Sequence, residues 1–201
     1  MQLLSLPASP FVRKVRVAMH ELGVAERIEV IHVDTSPHNS DPRVTAQNPL
    51  GRVPTLIRDE GPPLYESGVI CEYLDSLVDA PTLVPMAGER RWQSRRLHAL
   101  GEGIAQEGVT LRREASRPAE LQWSKVAESF GAKLTRSFDD LEGHPEMFEG
   151  DLEIGQIALA TTIAWLVFRD VGPPIFDGRP RLTAWYEAFL QRESMRATDP
   201  S

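Results

Sequence analysis

A chain of 201 residues, 41% of them hydrophobic and 25% charged, has room for one large or two small globular domains. Its 22 basic against 29 acidic side chains leave a formal charge of −7, which argues against a nucleic-acid partner, since phosphates require a basic face. The single cysteine, Cys71, excludes an intrachain disulfide and a cysteine-rich zinc site, and no apolar run reaches the ~20 residues of a membrane helix. The N-terminus lacks the basic and apolar regions of a signal peptide, so the expectation is a cytoplasmic protein with no membrane partner.

Gln2 to Leu6 reads as a short strand, broken by Pro7-Ala8-Ser9-Pro10. From Phe11 to Leu22 the apolar positions Phe11, Val12, Val15, Ala18, Met19 and Leu22 recur at helical spacing, and Gly23 supplies a stop. Ile28 to Val33 is β-branched and reads as a second strand. Strand, helix, strand predicts a parallel pair with a right-handed crossover. After a polar stretch, Val53 to Ile57 and Leu64-Tyr65 read as strands about the turn Gly61-Pro62-Pro63, and Ser67 is placed to cap a further helix. Asp79-Ala80-Pro81-Thr82-Leu83-Val84-Pro85 is a proline-punctuated connector. Beyond it only helices are predicted: Glu89 to Arg113, Ala119 to Leu141, the almost wholly apolar Ile154 to Phe168, and Arg181 to Gln191. The expected division is a small α/β domain over 1–78, a linker over 79–88 and an all-helical domain over 89–201.

Three features carry chemistry. Ser9 precedes Pro10, and serine at the cap with proline at the first helical position is a good helix start, a role worth ~1 kcal/mol by itself. The same place has a second use. A helix N-terminus offers unpaired N–H groups and partial positive charge, so a thiol held there ionises below its free value of about 8.5. Arg13, Lys14 and Arg16 add charge nearby or are plain surface. Val53-Pro54 begins a strand after Asn48-Pro49-Leu50-Gly51-Arg52, which proline tolerates. Glu66-Ser67-Gly68 is either a simple cap or a site where the hydroxyl and helix N–H groups hold a carboxylate while Glu66 pairs with an ammonium, together an amino-acid head group. Cys71, on an apolar helical face, reads as a small buried hydrophobe, and the five histidines show no metal-ligand spacing.

Taken in order, Ser9-Pro10-Phe11, then Asn48 to Leu56 (Asn-Pro-Leu-Gly-Arg-Val-Pro-Thr-Leu), then Tyr65 to Leu74 (Tyr-Glu-Ser-Gly-Val-Ile-Cys-Glu-Tyr-Leu) resemble the glutathione S-transferase family over the whole chain. The segments Ser9 to Arg16 and Arg192 to Thr198 suit a bacterial, serine-type branch. The resemblance implies an α+β two-domain fold, with a thioredoxin-like N-terminal domain and an all-α C-terminal domain. It implies a cis Val53–Pro54 peptide, the Val53 backbone pairing with the cysteinyl part of glutathione, and Glu66 and Ser67 on the γ-glutamyl head. Ser9 takes the thiol-activating position, with Phe11 and Arg52 in the same site. The implied partners are glutathione as co-substrate, a small hydrophobic electrophile and a second copy in a homodimer, with no metal. A hydroxyl cannot form a mixed disulfide, so serine argues against thiol-disulfide exchange at this position.

The resemblance leaves other activities on the same scaffold open: a glutathione-dependent peroxidase, isomerase or dehalogenase, or a binding protein with little turnover. The acceptor pocket is expected beside Phe11 and the Glu89 to Arg113 helix, with Trp92, Leu111, Arg112 and Arg113 as candidates to line it. No lysine stands between Asp34 and Asn48 to meet the glycyl end, which leaves His38, Asn39 or Arg43. The family's usual Ser/Thr-x-x-Asp cap on the buried helix is replaced here by Glu153-Ile154-Gly155-Gln156, with Asp151 as an alternative cap.

Overall fold

The computed structural model describes residues 1–36, 38–79 and 82–200. They divide into two compact units, Met1–Met86 with Glu193–Ser201, and Ala87–Arg192. Ala80 and Pro81 of the expected connector lie outside the described residues.

The first unit is built on four strands: β1 (Gln2–Ser5), β2 (Glu29–His32), β3 (Thr55–Ile57) and β4 (Leu64–Tyr65), in the order β2-β1-β3-β4. Helix α1 (Pro10–Glu21) crosses from β1 to the parallel β2, as the strand-helix-strand pattern requires. Its end is a Schellman turn. Gly23, at φ 67°, sends its N–H to the His20 carbonyl and is followed by Val24 bonding Met19. β3 runs antiparallel to β1, and β4 antiparallel to β3. A one-turn helix, α2 (Pro42–Thr45), puts fully buried Val44 against Leu4 and Val33, with Ile31, Val53 and Ile57 around them. Strand alternation leaves Leu3 and Leu56, both fully buried, to the opposite sheet face, and α1 packs against α3 (Ser67–Asp75).

The second unit is helical throughout: α4 (Gly88–Ala115), α5 (Ser124–Gly143), α6 (Ile154–Arg169) and α7 (Pro180–Phe189). The expected start of α5 at Ala119 is a separate 3-10 turn, because Gln122 is extended and its side chain closes the end of α4 on the Ala115 and Arg117 carbonyls. Every residue of α6 from Ile154 to Leu166 is buried, so it is the central helix of this unit. Its cap is the Glu153/Gln156 box, with the Glu153 N–H donating to the side-chain Oε1 of Gln156 at 2.8 Å. Arg90 of α4 bonds Glu153 and reaches Asp151 at 3.1 Å, so Asp151 supports the cap and does not supply it.

The last residues were expected to belong to the helical domain, but α8 (Glu193–Ala197) packs on α1 in the first unit. Arg13, 5% exposed, donates to the Met195 carbonyl at 3.0 Å and to Asp199 at 3.2 Å, while Ser194 bonds Glu21. The reason is a charge with no route to water: a buried guanidinium needs acceptors, and the tail brings them.

Contact between α4 and α6 depends on absent side chains. A Cβ on Gly101 would stand 3.0 Å from the backbone of Ala158 and Leu159, where nothing flexible can yield. Gly101→Ala gains about 1 kcal/mol of helix propensity but overpacks at a cost of about 1–3 kcal/mol or more, so the expected net change is a lower urea midpoint. Gly103, with nothing within 4 Å of a Cβ, is the control: Gly103→Ala is expected to raise the midpoint.

Candidate functional site

Register decides which residues meet. Leu4 pairs with Thr55, and Thr55 with Tyr65. The C-terminal end of β1, the start of β3 and the end of β4 therefore lie at one end of the sheet. Val53-Pro54 and Glu66-Ser67 adjoin those strand ends directly, and Ser9 follows the end of β1 after Leu6-Pro7-Ala8.

Ser9 is the N-cap of α1, in extended backbone at φ −93° and ψ 126°. Its Oγ accepts from the Val12 N–H at 3.4 Å, long for such a bond, and Ser9 is 9% exposed. Accepting uses a lone pair, so the hydroxyl proton stays available, and no described residue accepts it. Phe11, half-buried, is the second residue of the helix. The charges expected to help Ser9 are otherwise placed. Arg13 is spent on the tail, Arg16 reaches the Ala197 carbonyl at 3.4 Å, and Lys14 is 2% exposed. The N-terminal field of α1 thus comes chiefly from its backbone.

The segment before β3 hangs on one side chain that the sequence reading did not single out. Asn48, 1% exposed, donates from Nδ2 to the Arg52 carbonyl at 2.9 Å and to Thr55 Oγ1 at 3.3 Å, and accepts from the Leu50 N–H at 3.0 Å. Thr55 returns a bond to the Arg52 carbonyl at 2.9 Å, and Thr35 reaches the Gly51 carbonyl at 3.3 Å. The sequence signal for this was Asn48 at the head of the Asn48 to Leu56 motif, where no role was read for its side chain. The Val53–Pro54 bond is cis. β3 begins at Thr55, two residues later than expected, since Pro54 has no N–H for the ladder. Neither the N–H nor the carbonyl of Val53 has a partner among the described residues. Arg52 is exposed, with its guanidinium unpartnered among the described residues.

At α3 the cap is Glu66, one residue earlier than expected. Glu66 has φ 74°, and its carboxylate accepts from the Gly68 N–H at 2.9 Å and the Val69 N–H at 3.0 Å. A side chain with a Cβ is rare at that φ and costs on the order of 1–3 kcal/mol, an outlier of the kind that gathers at functional sites. Ser67 is the first helical residue, 2% exposed, and its Oγ lies 3.4 Å from Glu66 Oε1. Of the residues weighed for the glycyl end, Arg43 is committed to Asp41 by bonds of 3.1 and 2.6 Å, which hold the Asp41 carboxyl down at about 2. Cys71 is buried, 1% exposed.

Comparison with known proteins bears on this arrangement. The family model for the glutathione S-transferase N-terminal domain matches residues 3–82. An uncharacterised GST-like protein of Escherichia coli K12, YibF, is 33% identical over all of this chain and 98% of its own length. A glutathione transferase family member from Pseudomonas fluorescens Pf-5, crystallised with bound glutathione, superposes with a TM-score of 0.94 at 35% identity, covering 100% of this chain and 98% of that one. A crystal structure of a family member from the same organism with bound S-(propanoic acid)-glutathione gives 0.89 at 34% identity, covering both chains fully.

If Asn48 holds the loop as described, Asn48→Ala leaves the Leu50 N–H without its partner and the Arg52 carbonyl with the Thr55 hydroxyl alone. The expected cost is about 2–3 kcal/mol, read as a lower urea midpoint, with faster amide exchange over residues 50–55.

Proposed function

The chain belongs to the glutathione S-transferase family, and we propose that it is a serine-type glutathione transferase, activating the glutathione thiol for attack on a small hydrophobic electrophile. The observation that carries this reading is the Ser9 hydroxyl: nearly buried, at the N-terminus of a 12-residue helix, with its proton unspent. The solved relatives support the ligand. One holds glutathione, and another holds glutathione with a carbon substituent on its sulfur.

In this mechanism the glutathione sulfur lies at the start of α1. The unpaired N–H groups and dipole of that helix favour the thiolate over the thiol, and Ser9 donates a charge-assisted hydrogen bond to it. The thiolate attacks the electrophilic carbon. The S–C bond forms from the sulfur lone pair, and the displaced group leaves with its bonding electrons. Ser9 keeps its proton throughout, so its role is to stabilise charge and not to act as a base.

The peptide is held by backbone and by a head-group clamp. The unpartnered Val53 N–H and carbonyl, next to Pro54, pair with the cysteinyl residue as an added strand. The Ser67 hydroxyl and the start of α3 receive the γ-glutamyl carboxylate. Glu66 meets the ammonium. Arg52 and Phe11 complete the proposed set. The protein acts as a homodimer in the cytoplasm, with a role in detoxification.

Calorimetry with glutathione and a thiolate-absorbance titration of the bound ligand test this. Wild type is expected to bind glutathione and bring its thiol below about 8.5. A hydrogen bond to a charged group is worth about 1.5–3 kcal/mol, so Ser9→Ala is expected to raise the bound thiol by about 1–2 units. The fold should lose ~1 kcal/mol or less, because the cap bond is long. No binding heat would remove the reading as a whole; an unchanged thiol in the variant would remove only the role given to Ser9.

A further inference from the structure

Within the helical unit, the first turns of α4 and the segment leading into α6 wall a cavity of about 270 Å³. The 3-10 turn Pro145–Met147, the loop through Gly150 and the cap of α6 supply part of that wall. Four carboxylates stand on it: Glu146, Glu149, Asp151 and Glu153. Arg90 is the one cation among the lining residues, and it is already bonded to Glu153 and, at 3.1 Å, to Asp151. Glu146 and Glu149 are exposed and have no cationic partner among the described residues. Four carboxylates against one guanidinium leave the wall negative, in a chain whose formal charge is already −7.

Carboxylates in contact with water need no partner, so charge alone does not make a binding site. Ser94 adds an independent sign of one. It lines the same cavity, is 4% exposed, and its Oγ is buried with no hydrogen-bond partner. Other hydroxyls on these helices donate to the carbonyl four residues back: Thr110 to Gln106 at 2.9 Å, Thr135 to Gly131 at 3.1 Å, Ser137 to Lys133 at 3.0 Å and Thr161 to Ile157 at 2.8 Å. Ser94 forgoes that bond to Arg90. A buried hydroxyl without a partner is unfavourable to the fold, and its oxygen is an acceptor still unused. Among the described residues no three acidic, histidine or cysteine side chains are grouped to hold a metal ion, so the chemistry that fits the wall is that of an organic cation.

We propose that this cavity binds a short aliphatic diamine. An ammonium carries three donors and no acceptor, which matches a wall of carboxylates with one unused hydroxyl oxygen. One ammonium donates to Ser94 Oγ, the other is met by Glu146 and Glu149, and the methylenes between them lie against Leu97 and Met147 of the same wall. Two charges suit the site better than one, because two carboxylates there lack a counter-charge. This site goes beyond the glutathione reading and does not depend on it.

The probe is 1,4-diaminobutane, titrated by calorimetry at constant ionic strength, with uncharged 1,4-butanediol and singly charged n-butylamine as controls. The wild-type protein is expected to bind the diamine about tenfold or more tightly than either control. Glu146 and Glu149 are exposed, so the double variant E146Q/E149Q is expected to keep the fold and to weaken the diamine about tenfold. S94A is expected to weaken it about tenfold as well. Without ligand, S94A is expected to unfold at an unchanged or higher urea midpoint, since the hydroxyl it removes had no partner; a serine with a merely structural role would lower the midpoint and leave binding as it was. Diamine binding no tighter than that of butanediol, or wild-type affinity for the diamine in folded S94A or E146Q/E149Q, overturns the proposal.

Discussion

The side chain of Asn48 is the constraint on which the sheet end depends. It is a buried amide, and a buried amide must find partners or cost about 1–3 kcal/mol for each one missing. It finds them in the Leu50 N–H, the Arg52 carbonyl and the Thr55 hydroxyl, three points on the chain that it encircles. By closing that loop on itself it fixes the path into β3 without using the Val53 N–H or carbonyl. The backbone groups left over at the sheet end are therefore available to a ligand, and the proposed peptide pairing rests on that surplus.

Two helix starts share that end of the sheet, and they are satisfied differently. At α1 the cap is a neutral hydroxyl on a long bond, so the positive end of the helix is poorly neutralised and Ser9 retains its proton. At α3 the cap is a carboxylate on two N–H groups, held by a backbone conformation unusual for glutamate. The first suits a developing thiolate; at the second the Glu66 carboxylate suits an ammonium, beside the Ser67 hydroxyl assigned to the neighbouring carboxylate. That difference is the physical basis for assigning the cysteinyl thiol of the proposed ligand to α1 and its γ-glutamyl head to α3.

The helical unit follows another rule. Its packing is set by glycines at sevenfold spacing along α4, which let α6 come close, and by the Glu153/Gln156 box that starts α6 in register, clamped by Arg90. Close parallel packing is favourable along the apolar length of the contact.

Much of the fold was legible in the chain. Helical periodicity, the Gly23 stop and the β-branched runs are local signals, and they act over a turn or a few residues. They gave the elements in order, and motif order gave the family resemblance. Other features were not legible, for stated reasons. Glu66 displaces Ser67 as the cap because its carboxylate can fold back once the turn from β4 sets its φ, and that turn is tertiary. The separate turn at Ala119 follows from where the Gln122 amide finds carbonyls. Arg13 looked like a charge for the Ser9 site, yet it is buried and holds the tail, because its position on α1 faces the segment after Arg192, more than 180 residues along the chain. Composition and periodicity determined which residues could cap, turn or bury. Only packing decided which polar groups met a partner and which were left free, since a hydrogen bond is settled by what lies within three ångströms and not by what lies next in sequence.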